Sequence, residues 1–193
     1  MKNLFLLLIM LLPPSGLYSQ NVESEVFETI TLSAGYNKNI SMGELNKYWN
    51  ADKGASLKIE SPFYAGLLGV GVDGQLFTSN SLLQPDYKSF FIYMYWQYQL
   101  KLLFNTSLRA GVKFGSYVMI FNDVTLSEFE SNESELGIGA SFQYDIPVSK
   151  IFTFYVQSDF VTVFTMKRIK LFNAGAGVSY NFTSPEWIKD ILN

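Results

Sequence analysis

The sequence predicts an all-β protein: an eight-stranded antiparallel up-and-down β-barrel that crosses a membrane, followed by a short C-terminal periplasmic helix. Three observations carry this reading. From Ser107 to Phe182 apolar and polar residues alternate with unbroken parity across four segments. Period two means strands with two unlike faces. The chain opens on an export-signal pattern, and its aromatic residues, 17% of the whole, gather where strands end.

The signal comes first. Lys2 precedes the apolar run Leu4 to Leu12, and Pro13, Pro14 and Gly16 then break it. A charged start, a short apolar stretch and a break make a secretory signal peptide. The run is far short of the ~20 residues a membrane-crossing helix needs. Cleavage is expected after Ser19, following Sec-type export. With no Cys in the chain, neither a lipidation site nor a disulfide framework is expected. Residues 1–19 are thus assigned to the signal, 20–183 to one barrel domain and 184–193 to an amphipathic tail.

The strands follow from parity. In Ser107 to Phe121 the even face is Leu108, Ala110, Val112, Phe114, Val118 and Ile120, and the odd face includes Arg109, Gly111, Lys113 and Gly115. Ser134 to Tyr144 puts Leu136, Ile138, Ala140, Phe142 and Tyr144 on one face and Glu135, Gly137, Gly139, Ser141 and Gln143 on the other. Ile151 to Thr165 and Ile169 to Phe182 repeat the pattern. Earlier strands are expected at Val26 to Tyr36, Ala55 to Ser61 (ended by Pro62), Tyr64 to Phe77 and Lys88 to Tyr98. The short second one completes an even count, as bacterial single-chain barrels have.

With both termini periplasmic, Pro62-Phe63, Gln99 to Asn105 and Asp145 to Lys150 become short turns. Asn37 to Gly54, Thr78 to Tyr87, Asn122 to Glu133 and Met166 to Arg168 become outside connections. Short turns below and longer loops above fit a membrane barrel. On the apolar parity, Tyr64, Trp96, Tyr98, Tyr144, Phe152, Tyr180 and Phe182 fall near the periplasmic end, and Tyr36, Phe90, Phe164 and Phe172 near the other. Two aromatic girdles at the head groups are expected. In the tail, Ser184-Pro185-Glu186 reads as a helix start, with Trp187, Ile188, Ile191 and Leu192 as an apolar side.

Alternation alone does not say which face is inward. Gly69, Gly71, Gly111, Gly115, Gly137, Gly139, Gly175 and Gly177 all share the charged parity. Glycine weakens an exposed strand face, whereas in a narrow lumen it makes room for long side chains opposite. The other face is too aromatic to fit inside so small a barrel. The charged face is therefore placed inward.

The segments GAGVSYNF (Gly175 to Phe182), LRAGVKFG (Leu108 to Gly115) and LGIGASFQY (Leu136 to Tyr144) make the chain resemble the small eight-stranded outer-membrane barrels, of the kind of the OmpA transmembrane domain. The likeness extends over nearly all of the mature chain. It implies a bacterial outer-membrane location, contact with outer-membrane lipid and lipopolysaccharide, and insertion by the barrel-assembly machinery.

Composition narrows the chemistry. A net charge of −3 gives no footing for nucleic acid. His is absent, and enzymatic outer-membrane barrels rely, as families, on a catalytic His. With neither His nor Cys, those mechanisms are closed, and a carboxylate-only hydrolase stays open in principle. No catalytic residue, cofactor or metal ligand is assigned. The inward charges are Lys58, Glu60, Asp73, Arg109, Lys113, Glu135 and Asp159. They form either an ion-selective constriction or a salt-bridged plug. The large inward residues Phe91, Tyr93, Tyr95 and Tyr155 favour the plug, and Asp159 is expected to pair with a lumenal Arg or Lys.

Outside, Tyr48 and Trp49, near Met42 and Leu45, either anchor a partner or fold back on the rim. Asp123, Glu128, Glu130 and Glu133 lack calcium-loop spacing and read as a solvated acidic loop. Lys167 and Arg168 are placed for lipid contact. The expected role is non-enzymatic, structural or through surface loops. Two other readings stay open: a narrow pore or a barrel associated with transport or secretion, and a soluble periplasmic lipocalin-like barrel with an apolar interior.

Overall fold

A computed structural model describes residues 27–40, 45–81, 84–122, 132–166 and 168–186. Eight strands form one closed antiparallel barrel in chain order. They are β1 (Thr29–Asn39), β2 (Trp49–Phe63), β3 (Gly66–Ser79), β4 (Tyr87–Lys101), β5 (Ser107–Phe121), β6 (Asn132–Pro147), β7 (Phe152–Val163) and β8 (Ile169–Thr183). A one-turn helix, α1 (Leu45–Tyr48), precedes β2. β8 closes on β1 with Gly35 opposite Gly177 and Thr29 opposite Thr183. Closure leaves no unpaired strand edge. One end of the barrel carries the start of β1, the end of β8 and three turns, and the far end carries the other four connections.

The polar parity faces inward. Ser107, Arg109 and Lys113 of β5 and Ser141, Gln143 and Asp145 of β6 are buried, as are Asp159 of β7 and Ser179 of β8. The apolar parity is exposed on the outer wall, including Leu57, Val70, Ile92, Val112, Phe114, Leu136, Ile138, Phe142 and Val178. The soluble reading, with an apolar interior, is therefore not the one this fold adopts.

The strands also correct the sequence-based bounds. β5 matches its expected limits, but β2 is far longer than Ala55 to Ser61. It starts at Trp49, and a bulge between Ala51 and Gly54 shifts its register. An inserted residue flips the faces of everything beyond it, so the alternation from Ala55 onward does not continue toward Trp49. Pro62 does not end β2: it pairs with Leu67, and its carbonyl accepts from Phe27 N–H at 3.1 Å. The β2–β3 turn is Tyr64 and Ala65 rather than Pro62 and Phe63. Tyr64, expected on β3 in the girdle, sits in that turn at φ 50°. The β6–β7 turn begins after Pro147, which moves Asp145 from the expected turn into the barrel.

The remaining aromatics of the terminal end lie on the outer wall. Trp96, Tyr98, Tyr144, Phe152 and Tyr180 are exposed there. Tyr180 packs with Phe152 at 5.3 Å and with Phe182 at 5.9 Å between ring centroids. The signal segment 1–19, the acidic residues Asp123, Glu128 and Glu130, Met42, Lys167 and the tail from Trp187 on lie outside the described residues. The buried Ser184 ties the end of β8 back to the start of β1: its hydroxyl donates to Phe27 O, and its N–H donates to Glu28 O at 2.9 Å.

Candidate functional site: the lumenal network

The lumen has two zones. Toward the loop end, Phe77, Tyr87, Tyr117, Met119, Phe121, Val161, Val163 and Leu171 form an apolar cluster. Phe77 and Tyr87 stack at 4.5 Å, 4° from parallel. Helix α1 adds Leu45, which is buried in the same cluster, and Trp49 packs against it. Trp49 donates from Nε1 to Pro85 O at 2.9 Å and meets Tyr87 edge-on at 5.4 Å. Trp49 is therefore part of the barrel's rim packing rather than a free loop anchor, while Tyr48 beside it is 42% exposed.

Toward the terminal end the lumen is charged, and its groups form one connected network. Arg109 bridges Glu60 and Asp145. Tyr95 donates to the second oxygen of Glu60 at 2.6 Å. Asp145 also accepts from Ser107 at 3.0 Å and from Gln143 at 2.8 Å. Lys58 donates to Gln143 at 2.6 Å and to Gln157 at 2.8 Å, with its ammonium 4.4 Å from the Tyr155 ring centre. Gln157 leads on to Asp159 at 3.5 Å. Lys113 then bridges Asp159 and Asp73, each at 3.1 Å. Tyr93 donates to Asp73 at 3.2 Å, and its ring centre lies 4.5 Å from the Lys113 ammonium.

A charge out of water is costly unless paired and hydrogen-bonded, and this network meets that demand for each of its ions. Three cations face four carboxylates: Lys58, Arg109 and Lys113 against Glu60, Asp73, Asp145 and Asp159. Lys58, which has no direct carboxylate partner among these contacts, is held by two amide oxygens and a ring face. A cavity of about 10 Å³, lined in part by Lys58, Gln97, Gln157 and Asp159, leaves room for about one water. The otherwise unpartnered Gln97 Oε1 is among the groups such a water would serve.

Six of the seven inward charges expected from sequence meet in this network. Glu135 does not. It is half-buried near the loop end of β6, opposite Tyr117, with no ion pair to a described residue. Parity gives a residue's face but not its height in the barrel. Asp145 takes the seventh place, and Gln143 and Gln157 join it. All three are odd-numbered, so the same parity pointed to them. Among the described residues, no cluster of three acidic, His or Cys side chains is set to hold a metal.

Asp159→Asn removes one charge from the Lys113 site but keeps an acceptor oxygen. It is expected to lower stability by about 1–2 kcal/mol, read by urea unfolding in lipid vesicles. Unchanged stability would deny the pair any structural weight.

The glycines make this filling possible. A Cβ on Gly71 would lie 2.7 Å from the Tyr93 ring, and one on Gly69 2.6 Å from the Tyr95 ring. Each glycine is the cross-strand neighbour of the tyrosine that leans over it.

The fold is that of the small eight-stranded outer-membrane barrels. Neisserial surface protein A superposes with a TM-score of 0.59 at 16% identity, over 80% of this chain and 96% of that one. A major outer membrane protein from Thermus thermophilus gives 0.52 at 11% identity, over 79% and 99%. Ail, the attachment invasion locus protein of Yersinia pestis, gives 0.50 at 15% identity, over 80% and 99%. At these identities the likeness is one of fold. No model of a known protein family and no curated protein matches the chain.

Proposed function

We propose that this chain is a non-enzymatic outer-membrane protein whose barrel is closed to solutes and whose role is structural or exercised by its outside loops. The signal segment 1–19 directs export, and the barrel-assembly machinery inserts the mature chain with both termini in the periplasm. The observation that carries the reading is the lumen. Charged groups, amides and tyrosines link from Asp145 to Asp73, and an apolar cluster sits above them. An eight-stranded barrel leaves little more room than its own side chains fill. The apolar outer wall, with aromatics near the terminal end, suits a bilayer on every side.

Planar-bilayer recording tests the closure. The protein, first shown to be folded by faster migration on an unboiled gel, is expected to give no stable channel. Steps of constant conductance that disappear on boiling would overturn closure and support the narrow pore instead. Recovery in the soluble periplasmic fraction without a gel shift would overturn the membrane placement itself.

A further inference from the structure

The outer wall carries an unusual pairing at the loop end. Lys38 of β1 and Lys53 of β2 are direct cross-strand partners, and both side chains are exposed. Like charges placed directly opposite each other destabilise a sheet. Neither lysine has an ion pair with a described carboxylate, and the neighbouring Asp52 makes none with them. On the adjoining strand, Lys170 also faces outward, four residues beyond Ala174, the cross-strand partner of Lys38. Arg168 just beyond it stands 5.7 Å from the Phe164 ring centre. The exposed Tyr36 lies two residues below Lys38 on the same face. An aromatic ring at that height marks the edge of the hydrocarbon. Lys38 and Lys53 therefore stand at the level of lipid phosphates, on the β1–β2 side of the barrel.

We propose that Lys38 and Lys53 bind a phosphate monoester on an outer-leaflet glycolipid. The inference rests on the membrane placement proposed above. Two adjacent ammonium groups match a group of nearly two negative charges, where a phosphodiester carries one. The anion relieves the repulsion between the lysines, and the flexible stems let both heads reach it. Lipid bound here would fix one wall of the barrel against the outer leaflet.

The test compares refolded protein in three kinds of phosphatidylcholine vesicle: plain, doped with bis-phosphorylated lipid A, and doped with phosphatidylglycerol at matched charge. The readout is the midpoint temperature at which the folded gel band is lost. Lipid A is expected to raise the midpoint of the wild type by about 4–8 °C, more than phosphatidylglycerol does. The double variant Lys38→Gln/Lys53→Gln is expected to lose most of that rise. In plain vesicles it should be as stable as the wild type or more so, because the repulsion is gone. Lys88→Gln, on β4 two strands round the wall from β2, should keep the full rise. An equal rise in the double variant overturns the site. So does an equal effect of phosphatidylglycerol, or of inorganic phosphate added to plain vesicles. A wild-type chain that does not insert at all overturns the membrane placement together with the site, whereas one that inserts without a lipid A effect overturns the site alone.

Discussion

Replacing Arg109 with Met should destabilise the barrel by about 3–5 kcal/mol, the usual cost of leaving buried charge uncompensated. Arg109 is 6% exposed and, among the described residues, is the one cation in ion-pair contact with both Glu60 and Asp145. Met keeps much of the stem's volume, so the loss is electrostatic rather than a cavity. Tyr95 would still donate to Glu60, and Ser107 and Gln143 to Asp145. Neutral donors do not replace a guanidinium that binds both carboxylates through charge-assisted bonds. The check is urea unfolding in vesicles, scored by the fraction in the fast-migrating gel band. Adding Glu60→Gln and Asp145→Asn should recover most of the loss, since replacing a whole ion triad costs much less than breaking one. A single variant as stable as the wild type would mean that water reaches these carboxylates and the lumen is open there.

How much of this network the sequence could show depends on what parity carries. It carries the face of each residue, so Lys58, Arg109, Lys113 and Asp159 were placed inward without any structure. It does not carry the partner. Arg109 meets Glu60 from β2 and Asp145 from β6. That meeting is set by the tilt and stagger of the closed sheet, which a linear pattern does not contain. Asp145 falls in the expected turn Asp145 to Lys150, a stretch whose Asp, Pro and Ser are turn residues elsewhere. Here β6 runs on through Pro147, and the turn forms beyond it.

The fold shows the same division. β5 to β8 alternate without interruption, and β5 and β8 were legible almost to the residue, while the ends of β6 and β7 shifted by one to three residues. β2 was not, because the bulge between Ala51 and Gly54 breaks the alternation and places Asp52 and Lys53 where a loop was expected. Trp49 then faces inward on the far side of that bulge, so its burial in the rim could not be read from the parity of Ala55 onward. The left-handed conformation of Tyr64 had no sequence signal either, since it is uncommon for any residue other than glycine.

Gly137→Val should lower stability by about 2–3 kcal/mol, at the upper end of the cost of overpacking. Intrinsic preference argues the other way, because valine favours a strand and glycine weakens it by roughly 0.5–1 kcal/mol. The sign of the effect therefore decides between strand preference and space. The structure favours space: a Cβ on Gly137 would lie 2.7 Å from Cε2 and 3.1 Å from Cζ of Phe91. Phe91 is on β4, two strands away, and reaches this glycine across the inside of the barrel wall. It has little freedom to retreat, since its ring is 4.9 Å from Tyr93 and 6.2 Å from Tyr117. In a Phe91→Leu background the same valine should be neutral or stabilising, giving a coupling of about 1–3 kcal/mol in a double-mutant cycle. Additive effects would mean that the ring does not fill this space. Strong coupling would tie the glycines of the charged face to the aromatics that occupy the lumen, and with them the closure on which the proposed function rests.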